Sequence, residues 1–174
     1  MIGLANTPML QTARLTLRAP QASDWPHWLA FATSQRARYM GGPMVEGVAW
    51  RAFCHVVGMW VARGYGSFVF MAKGSDTPLG SAGPWHPWDW PEPEIGWTVW
   101  SPAAEGQGYA HEAAAATRDF AFRTLGWDTA VSYINPANAR SIALAERLGA
   151  VLDPEAPQIG DGKDLVFRHP RVQA

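Results

Sequence analysis

A chain of 174 residues is long enough for one well-buried domain and too short for two comfortable ones. With 48% hydrophobic and 17% charged residues it is expected to pack rather than stay disordered. A net charge of −1, with both signs scattered, leaves no electrostatic footprint for nucleic acid.

Charges interrupt every apolar run well before the ~18 residues that a membrane span needs, so no membrane association is expected. The opening residues, MIGLANTPMLQTARLTLRAP, lack the basic cluster and apolar core of a secretory signal, and a cytoplasmic location is the expectation. A single cysteine, Cys54, excludes an intramolecular disulfide and a cysteine-based zinc site. Ten tryptophans point to aromatic-lined surfaces or pockets.

Arg14 to Pro20 alternate polar and apolar residues and predict a first strand. SDWPHWLAFAT then offers Ser23 or Asp24 as N-cap, a proline in the first turn, and Trp28, Leu29 and Phe31 as an apolar side, hence a helix. Gly41 to Pro43 break the chain, and residues 45–63 place Trp50, Phe53, Val57, Trp60 and Val61 at helical spacing. SFVFMAK and LGSAGPWH read as a strand pair, WHPWDWPEPE as a proline-broken aromatic loop, and EIGWTVW as a further strand. An alanine-rich helix follows, with Glu112, Asp119 and Arg123 placed on its outer side. Then come a strand at WDTAVSYI, a helix at NARSIALAERLGA, and weaker strands at AVLD and DLVFRHP. The order is mixed α/β, with antiparallel runs and one strand–helix–strand crossover near residues 94 to 134.

Three G-x-G pairs occur, Gly64/Gly66, Gly106/Gly108 and Gly160/Gly162, where 17 glycines in 174 residues yield about one or two by chance. Only Gly106/Gly108 follows a strand and opens a helix. There, unpaired N–H groups and the positive end of the helix dipole converge, and bare backbone lets a pyrophosphate approach closely. An ordinary tight turn is the other reading of the same residues.

EGQGYAHEAA resembles the acyl-CoA-binding loop of the GNAT acetyltransferase superfamily, whose pattern is Q/R-x-x-G-x-G/A. Glu105, Gly106, Gln107, Gly108, Tyr109 and Ala110 fill its six positions, with His111 next. The GYAxEA continuation resembles the branch of the Rim-type protein N-acetyltransferases. NPANARSIALAERLGA, residues 135–150, resembles that branch's N-x-x-S helix, and RLTLRAP, the aspartate of SDW and PEIGWTVW fall where the family has its first strand, first helix and fourth strand. Glu105 departs from the pattern, since the family has glutamine or arginine there. A carboxylate beside a diphosphate repels it unless it turns away.

The resemblance implies a single N-acetyltransferase domain over residues 1–174, with its core at about 10–170: one twisted mixed sheet of six or seven strands flanked by about four helices. It implies acetyl-CoA as co-substrate and direct transfer of the acetyl group to a primary amine, either a small molecule or a peptide N-terminus. The pantetheine arm would lie along Trp97, Thr98 and Val99, with a main-chain N–H near Val99 facing the thioester oxygen. The cofactor-binding set is Trp97, Thr98, Val99, Glu105, Gly106, Gln107, Gly108, Tyr109, Ala110, His111, Asn138 and Ser141.

Glu94, at the start of the strand, is the candidate base, either directly or through water. Its structural alternative is an ion pair with an arginine such as Arg38 or Arg140. His86 and His55 are lesser candidates. The tyrosine that many members carry seven residues after the motif asparagine is Ala145 here, so Ser141 is the candidate donor to the leaving sulfur. Alternatively, Ser141 is only a cap partner of Asn138.

Trp85, His86, Arg38 and Tyr133 are candidates for the acceptor site, with Trp88 and Trp90 nearby; the aromatics serve equally well as packing that stiffens the loop. Arg36 and Arg38 offer charge for an acceptor carboxylate, or are merely solvated. Cys54, mid-helix and without a basic neighbour, is a poor nucleophile. The five dispersed histidines form no metal constellation, so no metal is expected. The rival reading is a non-catalytic acyl-CoA-binding module of the same fold. A nucleotide phosphate loop is disfavoured because no G-K-[ST] follows the glycines. Monomer or homodimer both fit.

Overall fold

The structure, a computed structural model, describes residues 4–171. Alternation places Leu15 and Leu17 of β2 (Leu15–Arg18) fully inside while Thr16 and Arg18 stay half-buried. β2 pairs antiparallel with β1 (Leu10–Gln11) on one side and with β3 (Phe68–Ala72) on the other. Next come β4 (Gly80–Trp85), antiparallel to β3, and β5 (Glu94–Val99), antiparallel to β4. Beyond β5 lie β6 (Val131–Ile134), β8 (Leu165–Arg168) and, at the far edge, β7 (Val151–Leu152). Eight strands therefore form one mixed sheet, one or two more than expected. The strand that sequence reading missed is β1, whose two residues are too short to show a period. β6 begins four residues later than its predicted stretch, after Gly126 turns the chain with φ +71°.

Helices cover both faces. β3 is buried almost throughout, so Phe68 and Phe70 face α3 (Tyr109–Arg123) while Val69 and Met71 face α1 (Trp25–Ala32) and α2 (Glu46–Arg63). Burying each of these side chains contributes about 1.5–3 kcal/mol. α4 (Ala139–Arg147) sets Leu144 and Leu148 against Ala114 of α3 with Trp97 beside them, so one tryptophan packs on both helices. Between α1 and α2 runs a 3₁₀ turn, Gln35–Met40, which sequence periodicity did not reveal. The four α-helices match the expected number.

The start of α1 departs from expectation in its chemistry. Neither Ser23 nor Asp24 caps the helix with its side chain. Instead the carboxylate of Asp24 turns back to accept both Nη groups of Arg18 at 2.7 and 2.8 Å, and the Gln21 N–H at 2.7 Å. The pair is buried, Asp24 to 1% exposure and Arg18 to 15%, and it ties α1 to β2. A buried charge left without its partner costs far more than the pair itself contributes. Asp24→Ala is therefore expected to cost about 3–5 kcal/mol, read as a lower urea midpoint with unchanged slope. Replacing both members together, Arg18→Met with Asp24→Leu, should recover most of that loss; equal losses in the single and double variants would refute the role of the stranded charge.

Candidate active site

β5 and β6 run parallel but share only one bridge, Glu94 to Val131, after which they separate. β6 pairs instead with β8 over all four of its residues. At the root of the split the Ser132 hydroxyl donates to the Ile95 carbonyl at 2.6 Å and meets His169 Nε2 at 2.9 Å, so a side chain replaces the next rung of the ladder. Burial in this junction lowers the His169 pKa to about 4, with Arg118 adding to the effect, and its neutral ring completes the pin. Nothing in the sequence pattern pointed to this pair.

Strand register decides which main-chain groups face the gap. Trp100 donates its N–H to Leu79, so Thr98 and Gly96, of the same parity, are turned towards β4. Ile95, Trp97 and Val99 are turned towards the opening. Two of their carbonyls are already taken, Ile95 by Ser132 and Val99 by Arg36 Nη2 at 2.9 Å. The N–H and C=O of Trp97 and the N–H of Val99 are thereby aimed into the split.

Val99 leads through Trp100 and a 3₁₀ turn, Pro102–Ala104, into Glu105 and the glycine loop. Gly106 and Gly108 take φ values of +72° and +77°, the left-handed region in which other residues are strained. Gly108 is the N-cap of α3 and has no side chain to satisfy the first turn. The first helical bond runs from Glu112 N–H to the Gly108 carbonyl. The N–H groups of Tyr109, Ala110 and His111 have no protein partner among the described residues. They open onto a groove of ≈ 1960 Å³ that also reaches Trp97, Thr98, Asn138 and Ser141. Gln107 is absent from that lining; its carbonyl accepts from Arg14 Nη1 at 2.9 Å.

The turn is braced from the segment that joins β1 to β2. Arg14 bonds Glu112 through Nε at 2.6 Å and its main-chain N–H at 2.8 Å, stacks 4.7 Å above the Tyr109 ring, and Thr12 adds its hydroxyl at 2.5 Å. Glu112 therefore does not lie outward, as its helical position suggested; it anchors the first turn of α3. Glu105 accepts from Arg36 and from Arg140, and those two hydrogen bonds hold its carboxyl below the usual range.

Across the groove Asn138 Oδ1 caps α4 by accepting the Ser141 N–H at 3.3 Å. The Ser141 hydroxyl accepts from the Trp97 indole at 3.3 Å, which leaves its own proton free to be given away. The 3₁₀ turn closes the third side, with the Tyr39 hydroxyl donating to the Ala137 carbonyl at 2.9 Å.

Glu94, Trp85 and Tyr133 share one face of the sheet at the closed end of the split, and none of them lines the groove. Burial raises the Glu94 pKa to about 7, a shift that the Trp90 indole and the Tyr133 main chain oppose and Asp164 reinforces. Trp90 Nε1 donates to Glu94 Oε2 at 2.8 Å, and among the described residues no arginine joins it. Both arginines named as structural partners are elsewhere: Arg140 on Glu105, and Arg38 on the Gln35 carbonyl and the Tyr39 ring. A Cβ on Gly96 would meet Glu94 Oε1 at 3.7 Å, an ordinary van der Waals contact, so the carboxylate lies over Gly96. The Tyr133 hydroxyl is buried without a partner, and burial, with Glu92 and Glu94 nearby, pushes its pKa up to about 12.

His86 Nε2 lies 3.2 Å from the Trp90 carbonyl, within the loop. His55 is exposed on α2 and stacks on Trp85 at 4.9 Å. Trp88 is 94% exposed. Arg36 does not project freely towards an acceptor; its sequence neighbours gave no sign of the contacts it makes. Among the described residues no cluster of metal-binding side chains forms.

The GNAT acetyltransferase domain model matches residues 14–151, most of the chain. An acetyltransferase of Agrobacterium tumefaciens is 40% identical, with 98% of each chain covered and a TM-score of 0.89. A protein of Bordetella pertussis assigned to the same family is 29% identical over 94% of this chain and 99% of its own, with a TM-score of 0.77. A ribosomal-protein-S5-alanine acetyltransferase of Vibrio fischeri shares the fold at 17% identity, covering 94% and 97%, with a TM-score of 0.69. The chain belongs to the GNAT acetyltransferase family.

Proposed function

We propose that the protein transfers an acetyl group from acetyl-CoA directly to a primary amine. The observation that carries this reading is the continuity of the split between β5 and β6 with the uncapped first turn of α3. An extended amide-bearing arm fits the former and an anionic diphosphate the latter. CoA supplies the activated thioester; the rest is done by this chain.

The Tyr109, Ala110 and His111 amides hold the diphosphate, while the main chain of Trp97 and Val99 holds the arm. The Val99 N–H polarises the thioester oxygen as negative charge builds on it. Glu94, partly desolvated and near neutral pKa, takes the amine's proton, directly or through a water standing over Gly96. The nitrogen lone pair forms the new C–N bond, the C–S bond breaks, and the Ser141 hydroxyl gives a proton to the departing sulfur and regains one from solvent as Glu94 releases its own. Cys54 is exposed on α2, outside the groove, so no covalent enzyme intermediate is required.

Trp85, Trp90 and Tyr133 flank Glu94 on the acceptor side. A peptide N-terminus and a small-molecule amine are both acceptor classes under this reading.

Calorimetry with CoA tests the cradle. Wild type should bind it, and Gly108→Ala should weaken binding at least about tenfold, because a Cβ at positive φ strains the turn that aims the amides. Absence of any CoA binding by the wild type would end the reading.

Glu94 is a base only when ionised, so kcat/KM should climb as pH rises through about 7 and then level off. Glu94→Gln should lose that limb and about 10²-fold in rate. Retention of the limb in the variant would assign the proton to another group. Ser141→Ala should slow thiol release about 10²-fold with little change in the affinity for CoA.

A further inference from the structure

Glu105 opens the glycine loop, where its charge opposes that of a diphosphate, yet it is held there by arginines from two different elements. Arg36, on the 3₁₀ turn, donates to Oε1 through Nε at 3.0 Å and Nη2 at 2.6 Å. Arg140, in the first turn of α4, donates to Oε2 through Nη1 at 2.6 Å. Two guanidiniums against one carboxylate leave the trio with a net single positive charge (+2 − 1).

The two arginines are not equivalent. Arg36 is 25% exposed and spends four of its five N–H groups, two on Glu105 and one each on the Val99 and Trp100 carbonyls. It has almost nothing left for a ligand. Arg140 is 85% exposed and spends one N–H, so four stay available. A long, exposed arginine would ordinarily sample many rotamers and lose that freedom on binding. Here a carboxylate already fixes its head at the rim of the groove beside Gly106.

We propose that Glu105 is a positioning residue that presents the Arg140 guanidinium to the diphosphate of CoA, with Arg36 as the anchor that fixes Glu105. This rests on the CoA reading above and adds a cation to that site, beside Arg14, whose Nη2 lies 3.4 Å from where a Gly108 Cβ would stand. The loop itself carries no basic side chain between Glu105 and Ala110, and the trio brings one from 35 residues further along the chain. The arrangement converts an unfavourable carboxylate into the holder of a charge-assisted, planar phosphate donor.

The test compares Glu105→Gln, Arg140→Met and the double variant. Calorimetry with CoA is set beside turnover of S-acetylpantetheine, a donor without the diphosphate. Each single variant should raise the Kd for CoA about tenfold, as expected for one charge-assisted phosphate contact. The double variant should be no weaker than the worse single, because both remove the same contact. The Arg140→Met variant should also show a shallower dependence of CoA affinity on salt, and KM for S-acetylpantetheine should stay within about twofold in all three.

Unchanged or tighter CoA binding by Glu105→Gln overturns the proposal, since the carboxylate would then be merely repulsive. Additive losses, or an equal loss with S-acetylpantetheine, overturn it as well. Should Glu105→Gln fail to fold, Arg140→Met still decides through its Kd and salt dependence, its side chain being largely in solvent. A wild type that binds no CoA fails the parent reading; a wild type that binds with unaffected variants fails this proposal alone.

Discussion

A backbone carbonyl or amide turned away from its neighbouring strand must find another partner, and this protein leaves several of them aimed at a gap. That constraint organises the rest of the molecule. β5 is satisfied by β4 along its whole length, but on its other edge the ladder stops after Glu94 and Val131. Each group beyond that rung is then either claimed by a side chain or kept for a guest. Ser132 claims the Ile95 carbonyl and Arg36 the Val99 carbonyl, which leaves Trp97 and the Val99 N–H between them. The opening is thus bounded at both ends by specific side-chain hydrogen bonds, and its length suits a short extended segment rather than a whole strand.

The same economy governs α3. A helix that begins at a serine or aspartate closes its own first turn; one that begins at Gly108 cannot. The cost is tolerated because Thr12 and Arg14, in the turn between β1 and β2, hold Glu112 of α3 without touching the amides that matter. The carboxylate of Glu112 lies near the positive end of the helix dipole, which helps the helix but leaves the N–H groups of Tyr109, Ala110 and His111 exposed.

Much of this was legible in the sequence, and for physical reasons. The alternation around Leu15 and Leu17, the helical spacing from Trp50 to Val61, and the strand–glycine–helix order near Gly108 are short-range signals, and the fold follows them. What was hidden is what depends on distant residues. β1 exists because β2 offers it an edge, not because Leu10 and Gln11 favour a strand. Asp24 looked like a cap and became the partner of Arg18, because the buried charge of the arginine outcompetes the helix end. Arg36 read as solvated surface or a binder of an acceptor carboxylate, and Arg140 as a candidate partner of Glu94; only the fold brings them together on Glu105. The Ser132–His169 pin lies 37 residues apart in sequence and has no periodic signature at all.

The arrangement has a consequence for how the groove behaves before any ligand arrives. Two strands that separate without support would tend to close on each other, since both would gain hydrogen bonds. Closure is opposed on three sides. Trp97 wedges against α3 and α4 and bonds Ser141; Tyr39 spans to the Ala137 carbonyl; and Glu105 links Arg36 of the 3₁₀ turn to Arg140 of α4. None of these contacts uses the amides at the start of α3 or the main chain of Trp97. Apart from Arg140 and Ser141, the walls are held apart by groups other than those that would grip a guest, and those two can keep their bonds to Glu105 and Trp97, so binding need not first break the contacts that keep the groove open. A site built this way loses little freedom on binding, and its affinity reflects the contacts made rather than the cost of assembling them.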